Sequence, residues 1–433
     1  MPALRDLLIF RRSEGFKEIL YPQRQRINIH SDTMTTRLYF ENACRTEFEA
    51  RVLERLEREG KPAVVLDRTC FYPESGGQPW DTGTLNGAPV VQVLEEGDSI
   101  LHVLGGDPGP ALEPGAAVAG RIDWPRRFDH MQQHTGQHIL SQAFVEILSG
   151  ETRSFHLGAD VSTLEIGLGR VEEVDLERVE RRANEIVFRG LEVKTYFVPA
   201  EKIGDVPLRR PPKKEGTIRV VEVEGFDYSA CGGTHCRRTG EVGLVKIIRW
   251  DKIRGNLRFE FLCGGRALED YGRRNSALRR ISGLFSVSDT DAPASVEKAL
   301  GELKAQNKAA RALKEKLAVY EAGDLIRETG ETVIRRIFTD KAADEVRLLA
   351  LAVVRQAARV ALFAAKGGSQ SHIILARSDD IPLDLRELAP LIISRVNGKG
   401  GGGPSLVEIV TPNPSGLEQA LDEGAQYVLS RLS

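Results

Sequence analysis

The sequence predicts a multidomain protein of α+β and α/β character, on three observations. Short apolar runs of strand type crowd the first third of the chain. Strands and helices alternate in the middle and again at the end. A stretch of helical periodicity separates those two regions. A chain of 433 residues has room for two or three domains with ample core. Its apolar content of 41% and charged content of 28% are those of a soluble globular protein. The net charge of −2 excludes a global basic field, so any contact with RNA rests on local patches. Five cysteines, an odd number at irregular spacing, argue against a secreted disulfide framework. No run reaches transmembrane length and no signal peptide is evident, so a cytoplasmic protein is the default expectation.

Residues 1–33 mix Arg, Glu, Gln and Pro without a sustained period and are expected to be a loose N-terminal extension, with Met34 reading as a clean start. Residues 34–122 read as a β-rich N-terminal domain. Ala63–Leu66, Val90–Leu94 and Ile100–Leu104 are strand-like and separated by turns bearing Gly and Pro. One exception is expected there: Glu47–Leu56 reads as a short amphipathic helix, with Thr46 as cap and Glu49 completing a capping box. Residues 123–265 form an α/β unit. It holds a histidine-bearing helix, a second helix near 175–190, and strands at 193–198, 217–223, 243–250 and 257–263.

Residues 266–329 read as a helical linker. Leu268, Tyr271, Asn275, Leu278, Ile281 and Phe285 recur at helical spacing, and Val296, Leu300, Leu303, Asn307, Ala310, Leu313 and Leu317 do so again after a break. This seam suits a coiled coil joining two copies of the chain, or equally an antiparallel hairpin within one chain. Residues 330–433 alternate strands (Val333–Phe338, Val360–Ala365, His372–Arg377) with helices near 341–357 and 383–396, and carry the glycine run Gly398–Gly403. That run reads either as a flexible loop or as backbone that approaches RNA or phosphate closely. It lacks the Gly-Lys-Ser/Thr ending of a Walker A loop, so nucleotide hydrolysis is not expected.

Metal-ligand residue types gather in two separated places. His134 and His138 lie four apart in an expected helix, with His130 one turn earlier, so they share one face. Cys231, His235 and Cys236 sit in a glycine-rich stretch suited to a tight loop. Three histidines at four-residue spacing beside a separate Cys-x3-His are hard to obtain by chance, although a single helical histidine more often is not a ligand. Of the six candidates, His134, His138, Cys231 and His235 make a tetrahedral set of three nitrogens and a sulfur, which is zinc chemistry. His130 is expected to orient a ligand or face the substrate, and Cys236 would need a sharp local twist to bind alongside His235. Thr135 stands where zinc peptidases of the His-Glu-x-x-His type carry their base, and Cys-x2-Cys pairs of structural zinc modules are absent.

The loop Phe71–Gly83 is rich in Gly and Pro, so a plain β-turn is its bland reading, yet Gln78 and Asp81 are polar groups fixed within it. Such a loop suits the cover of a metal pocket. Arg126, Arg127, Arg209, Arg210, Lys213, Lys214, Arg237 and Arg238 lie close in sequence to the metal residues. Each cluster alone reads as a solvated face; together they point to a phosphate-bearing substrate.

The stretch Arg127–His138, the Cys231–His235 loop and the Phe71–Gly83 loop together resemble the AlaX family, the free-standing relatives of the alanyl-tRNA synthetase editing domain. The resemblance runs from about residue 36 to 265. Residues 330–433 resemble the C-terminal domain of alanyl-tRNA synthetase, so the layout is that of the long AlaX form. It implies a zinc-dependent hydrolase that deacylates Ser-tRNA(Ala) or Gly-tRNA(Ala), with Zn2+ on His134, His138, Cys231 and His235. It also implies that Gln78 helps to shape the amino-acid pocket, that Thr69 and Thr163 are further pocket candidates, and that the C-terminal unit holds tRNA. The competing expectation is a non-catalytic zinc-containing protein that binds tRNA or other RNA. A complete synthetase is not expected, given the few residues ahead of the editing-like region, nor is a DHH-type phosphoesterase, given the absence of an Asp-His-His triplet.

Overall fold

A computed structural model describes residues 34–107, 109–212, 216–412 and 414–432. The extension expected at 1–33 and the Lys213/Lys214 pair lie outside the described residues. The chain divides into two compact units, one ending at Ala277 and one beginning at Leu278.

The first unit opens with β1 (Thr36–Arg37), a single helical turn α1 (Leu38–Glu41), β2 (Glu47–Arg58), β3 (Lys61–Leu66), β4 (Arg68–Thr69), β5 (Gly83–Leu85), β6 (Ala88–Glu96), β7 (Ser99–Leu104) and β8 (Ala117–Ile122). Six of these close a barrel in the order β2-β3-β7-β6-β5-β8. The helix expected over Glu47–Leu56 is therefore wrong: that segment is β2. Phe48, Ala50 and Val52 alternate inward with a period of two, and this segment pairs with β8 at one end and β3 at the other. Closure satisfies the backbone at both edges and outweighs a weak helical pattern. Gly120 on β8 makes room for it, since a Cβ there would lie 2.3 Å from the Phe48 ring.

The barrel is followed by α2 (Trp124–Leu148), β9 (Thr152–Leu157), β10 (Ser162–Ile166), α3 (Glu173–Arg189), β11 (Val193–Val198), β12 (Ile218–Val223), β13 (Asp227–Ala230), β14 (Val245–Ile253) and β15 (Asn256–Cys263). Two sheets result, β14-β15-β10-β9 and β11-β12-β13. Asp123 caps α2 by accepting from the Arg126 amide, and Pro125 occupies its first turn. Met131, Ile139, Leu140 and Phe144 of α2 pack with Val179, Ala183 and Ile186 of α3 against Leu164, Phe259 and Phe261 of the four-stranded sheet. At Gly136 the helix comes so close to β15 that a Cβ would lie 2.3 Å from the Cys263 sulfur.

Then come α4 (Gly264–Phe285) and, in the second unit, α5 (Ala292–Thr329), β16 (Val333–Phe338), α6 (Ala343–Gln356), β17 (Val360–Ala365), β18 (Ser371–Arg377), α7 (Leu385–Val396), β19 (Lys399–Gly402), β20 (Leu406–Thr411) and α8 (Leu417–Leu432). The sheet β16-β17-β18-β20-β19 is parallel only between β16 and β17. Val360, Leu362 and Ala364 face α7 and α8, while Ala361, Phe363 and Ala365 face α5 and α6, so β17 is apolar throughout. The glycine run is not a flexible loop in its first part: Lys399–Gly402 is an exposed edge strand paired with β20. Among the described residues, no helix is long and apolar enough to cross a membrane.

Candidate metal centre

His134 and His138 project from one face of α2, and Cys231 and His235 come from the loop after β13. Their ligand atoms all lie within 4.8 Å of one another, and the four could hold a metal ion. Cys231 Sγ is 3.5 Å from His134 Nε2 and 3.4 Å from His235 Nε2. The loop can approach because residue 233 is glycine; a Cβ there would stand 2.1 Å from His134 Cε1.

Each imidazole is held by its other nitrogen. His134 Nδ1 donates to Gln78 Oε1 at 2.8 Å, and His138 Nδ1 donates to Asp227 Oδ2 at 3.1 Å. His235 Nδ1 is 3.2 Å from Thr135 Oγ1, which also accepts from the Cys236 amide at 3.0 Å. With the three Nδ1 atoms engaged, the three Nε2 atoms are left to converge on the thiol. This is how metal-ligating histidines are oriented. Thr135, in the position of the peptidase base, is thus a positioning residue.

Charge supports the same arrangement. Burial opposes ionisation of Cys231, but the adjacent His134 and His235 prevail and hold its thiol well below the usual range. Burial and His134 push His235 down to about 3. For His138, burial lowers and the Asp227 bond raises, and the bond prevails, taking it up to about 8. Asp227 also faces Arg209 at 3.4 Å and accepts from Ser229 at 2.9 Å, while Arg209 Nη1 donates to the His138 carbonyl at 3.0 Å. Cys236 is different: it is buried in the core and burial pushes its thiol up to about 12.

The structure places the other candidates as follows. Gln78 is fully buried; besides His134 it accepts from the Thr234 amide at 3.1 Å and donates to Thr234 Oγ1 at 2.8 Å, so it ties the Phe71–Gly83 loop to α2 and the Cys loop. Thr69 lies on β4, which is not one of the six barrel strands, and its buried hydroxyl is 2.8 Å from Nε2 of His102 on β7. Thr163 alternates onto the opposite face of β10 from Leu164, whose strand partner Phe155 lies 5.4 Å from the His134 ring. His130 is buried on α2, with its Nδ1 lacking a hydrogen-bond partner, and burial, aided by Arg126, lowers it to about 4. It is not one of the four converging groups.

Arg127 is not free to meet phosphate. It is fully buried, paired with Asp81, and donates to the Ala43 and Cys70 carbonyls at 2.6 Å. Arg209 is likewise engaged with Asp227. The exposed cations nearest in sequence to the loop are Arg237 and Arg238. Among the positioning groups, Asp227 carries no motif signal, Thr135 stands out only by its place in the His134–His138 motif, and Arg209, which the sequence suggests as a phosphate contact, instead pairs with Asp227.

The family model for the threonyl and alanyl tRNA synthetase second additional domain matches residues 218–259, and that for class II (A) tRNA synthetases matches residues 14–126. The chain is 33% identical over 414 residues to the alanine–tRNA ligase of Thermococcus kodakarensis, covering 90% of this chain and 43% of the ligase. It therefore spans less than half the length of that relative. It is 30% identical over 387 residues to the alanyl-tRNA editing protein AlaX-L of Pyrococcus horikoshii, covering 86% of this chain and 94% of that protein. A crystal structure of the C-Ala domain from Aquifex aeolicus alanyl-tRNA synthetase aligns with 23% of this chain at 20% identity and a TM-score of 0.22, too low for argument. By its near-complete coverage of AlaX-L, the chain belongs to the family of alanyl-tRNA editing proteins.

Proposed function

We propose that this protein is a cytoplasmic, zinc-dependent deacylase that hydrolyses the ester of tRNA(Ala) mischarged with serine or glycine. The observation that carries this reading is the convergence of three Nδ1-anchored imidazoles on the Cys231 thiol. Zinc fits this donor set. With Zn–N near 2.0–2.1 Å and Zn–S near 2.3 Å, a tetrahedral edge between nitrogen and sulfur is about 3.5 Å. The two Sγ–Nε2 separations of 3.5 and 3.4 Å match it. His134, His138, Cys231 and His235 would hold the ion, and with four protein ligands it would supply Lewis acidity to a substrate by accepting a fifth ligand.

The chain's own residues do the rest. Gln78, Asp227 and Thr135 fix the imidazole tautomers, and Arg209 balances the Asp227 charge. Cys231 is half-buried and Gly232 exposed, so the centre opens to solvent on the side of this loop. An aminoacyl ester is already activated, and its hydrolysis asks for positioned water and a stabilised oxyanion rather than a protein nucleophile. A pocket that hydrogen-bonds a serine hydroxyl rejects alanine because its polar groups would go unpaired.

The test is deacylation of Ser-tRNA(Ala), Gly-tRNA(Ala) and Ala-tRNA(Ala) with and without prior chelation. Loss of the serine or glycine ester that depends on metal and spares the alanine ester is expected. Normal tRNA binding with no deacylation would instead establish a non-catalytic RNA-binding protein. The same substrate reading assigns tRNA contacts to the second unit. There Leu300, Leu303, Leu313 and Leu317 of α5 are exposed, which supports a homodimer through the helical segment. Light scattering showing a monomer at micromolar concentration would remove that assignment.

A further inference from the structure

Arg219 of β12 leads from the Cys loop to an open aromatic surface. Its Nη1 donates to the carbonyls of Cys231 and Gly233, each at 2.9 Å, and its guanidinium lies 5.0 Å from the Phe40 ring centre. Phe197 of β11 is the strand partner of Arg219. It meets Phe40 edge to face at 5.9 Å and yet remains 54% exposed. Arg37, paired with Glu95 at 2.7 Å, lies 5.8 Å from the same Phe40 ring. Met34, Arg37, Phe40, Asp98 and Phe197 line a cavity of about 350 Å³.

An exposed phenylalanine alone means little. Here the ring stands in the wall of a concavity, backed by a second ring and two guanidinium planes, a combination that binds flat π-faced groups. The acidic neighbours on that wall, Glu41 and Asp98, disfavour a phosphate and suit an exocyclic amine. The volume admits one nucleoside and excludes a duplex. The surface is also joined to the metal centre through a single side chain, that of Arg219. We infer that Phe197, with Phe40 and Arg219 behind it, is the stacking platform for an unpaired nucleobase at the 3′ end of the tRNA acceptor strand. This inference rests on the deacylase reading. It makes the platform the group that holds the ester-bearing end against the Cys231 loop.

The experiment compares the full chain with its Phe197→Ala and Phe197→Trp variants. One readout is KM and kcat on whichever mischarged tRNA the parent protein hydrolyses. The other is fluorescence quenching of an RNA trinucleotide with 2-aminopurine at its 3′ position, which needs no catalysis. Phe197→Ala is expected to raise KM about tenfold, within the range of one base–aromatic stack, with little change in kcat and with quenching lost. Phe197→Trp is expected to restore both. Unchanged KM and unchanged quenching in Phe197→Ala would overturn the platform while leaving the deacylase reading intact. A kcat loss with KM and quenching intact would also overturn it. If the parent protein hydrolyses none of the esters but its quenching still depends on Phe197, the deacylase reading falls and the platform stands.

Discussion

Cys231 and Cys236 lie five positions apart, and their surroundings give them opposite chemistry. Cys231 faces two imidazoles that stabilise its thiolate, and a thiolate is what binds a metal. Cys236 turns into the core, where burial keeps its thiol protonated. Cys231→Ala should therefore abolish stoichiometric zinc, and Cys236→Ala should leave it in place; metal analysis of the purified variants with the reverse outcome would overturn the ligand choice. Asp227 acts through His138. Replacing it with asparagine keeps the shape but removes the charge that His138 and Arg209 both meet. Zinc affinity should fall about 10–100-fold, as for other groups that orient a metal-bound histidine. Competition with a chromophoric chelator measures this, and an unchanged affinity would reduce Asp227 to a packing role.

The Phe71–Gly83 loop is docked on α2 by the buried Arg127–Asp81 pair, and Asp81 also accepts from the Tyr72 amide at 2.7 Å. Asp81→Ala strands a guanidinium that is fully buried, a change that costs about 3–5 kcal/mol. Denaturant unfolding should show a loss of that size. In the barrel, His102 is buried between Val64 O and Thr69 Oγ1, and burial pushes it down to about 4. Between about pH 6.5 and 4 the unfolded chain binds a proton here and the folded chain does not, so stability falls with falling pH, by on the order of 3 kcal/mol across that window. His102→Gln should flatten this limb of the pH–stability curve; an identical slope would locate the acid sensitivity elsewhere.

These elements also show what the sequence made legible. Helices α2 and α3 and most strands follow from their apolar periods, and the donor quartet follows from residue type and spacing. The barrel strand β2 was misread because Val52, Leu53 and Leu56 fit a helix locally, while closure against β3 and β8 is a long-range fact. Arg127 looked like a phosphate contact because its partner, Asp81, lies 46 positions away. Asp227 was invisible for the same reason: nothing near it in the chain marks it as the acceptor for His138.

The two compact units have separate cores, so heating should produce more than one calorimetric transition. All four donors lie in the unit that ends at Ala277. Chelation should lower only the transition of that unit, since a ligand stabilises the fold that binds it. A uniform shift of every transition would mean that the units unfold as one.

The donors are also far apart along the chain: His134 and Cys231 are separated by 97 positions. A ribosome adds residues in order, at roughly 5–20 per second. For about 5–20 s of each synthesis the helix histidines exist without their thiol, open to any copper or nickel that favours imidazole. Which metal the quartet takes up would therefore depend on metal supply during translation as well as on the finished site, and overexpression in nickel- or copper-rich medium should yield molecules carrying those ions.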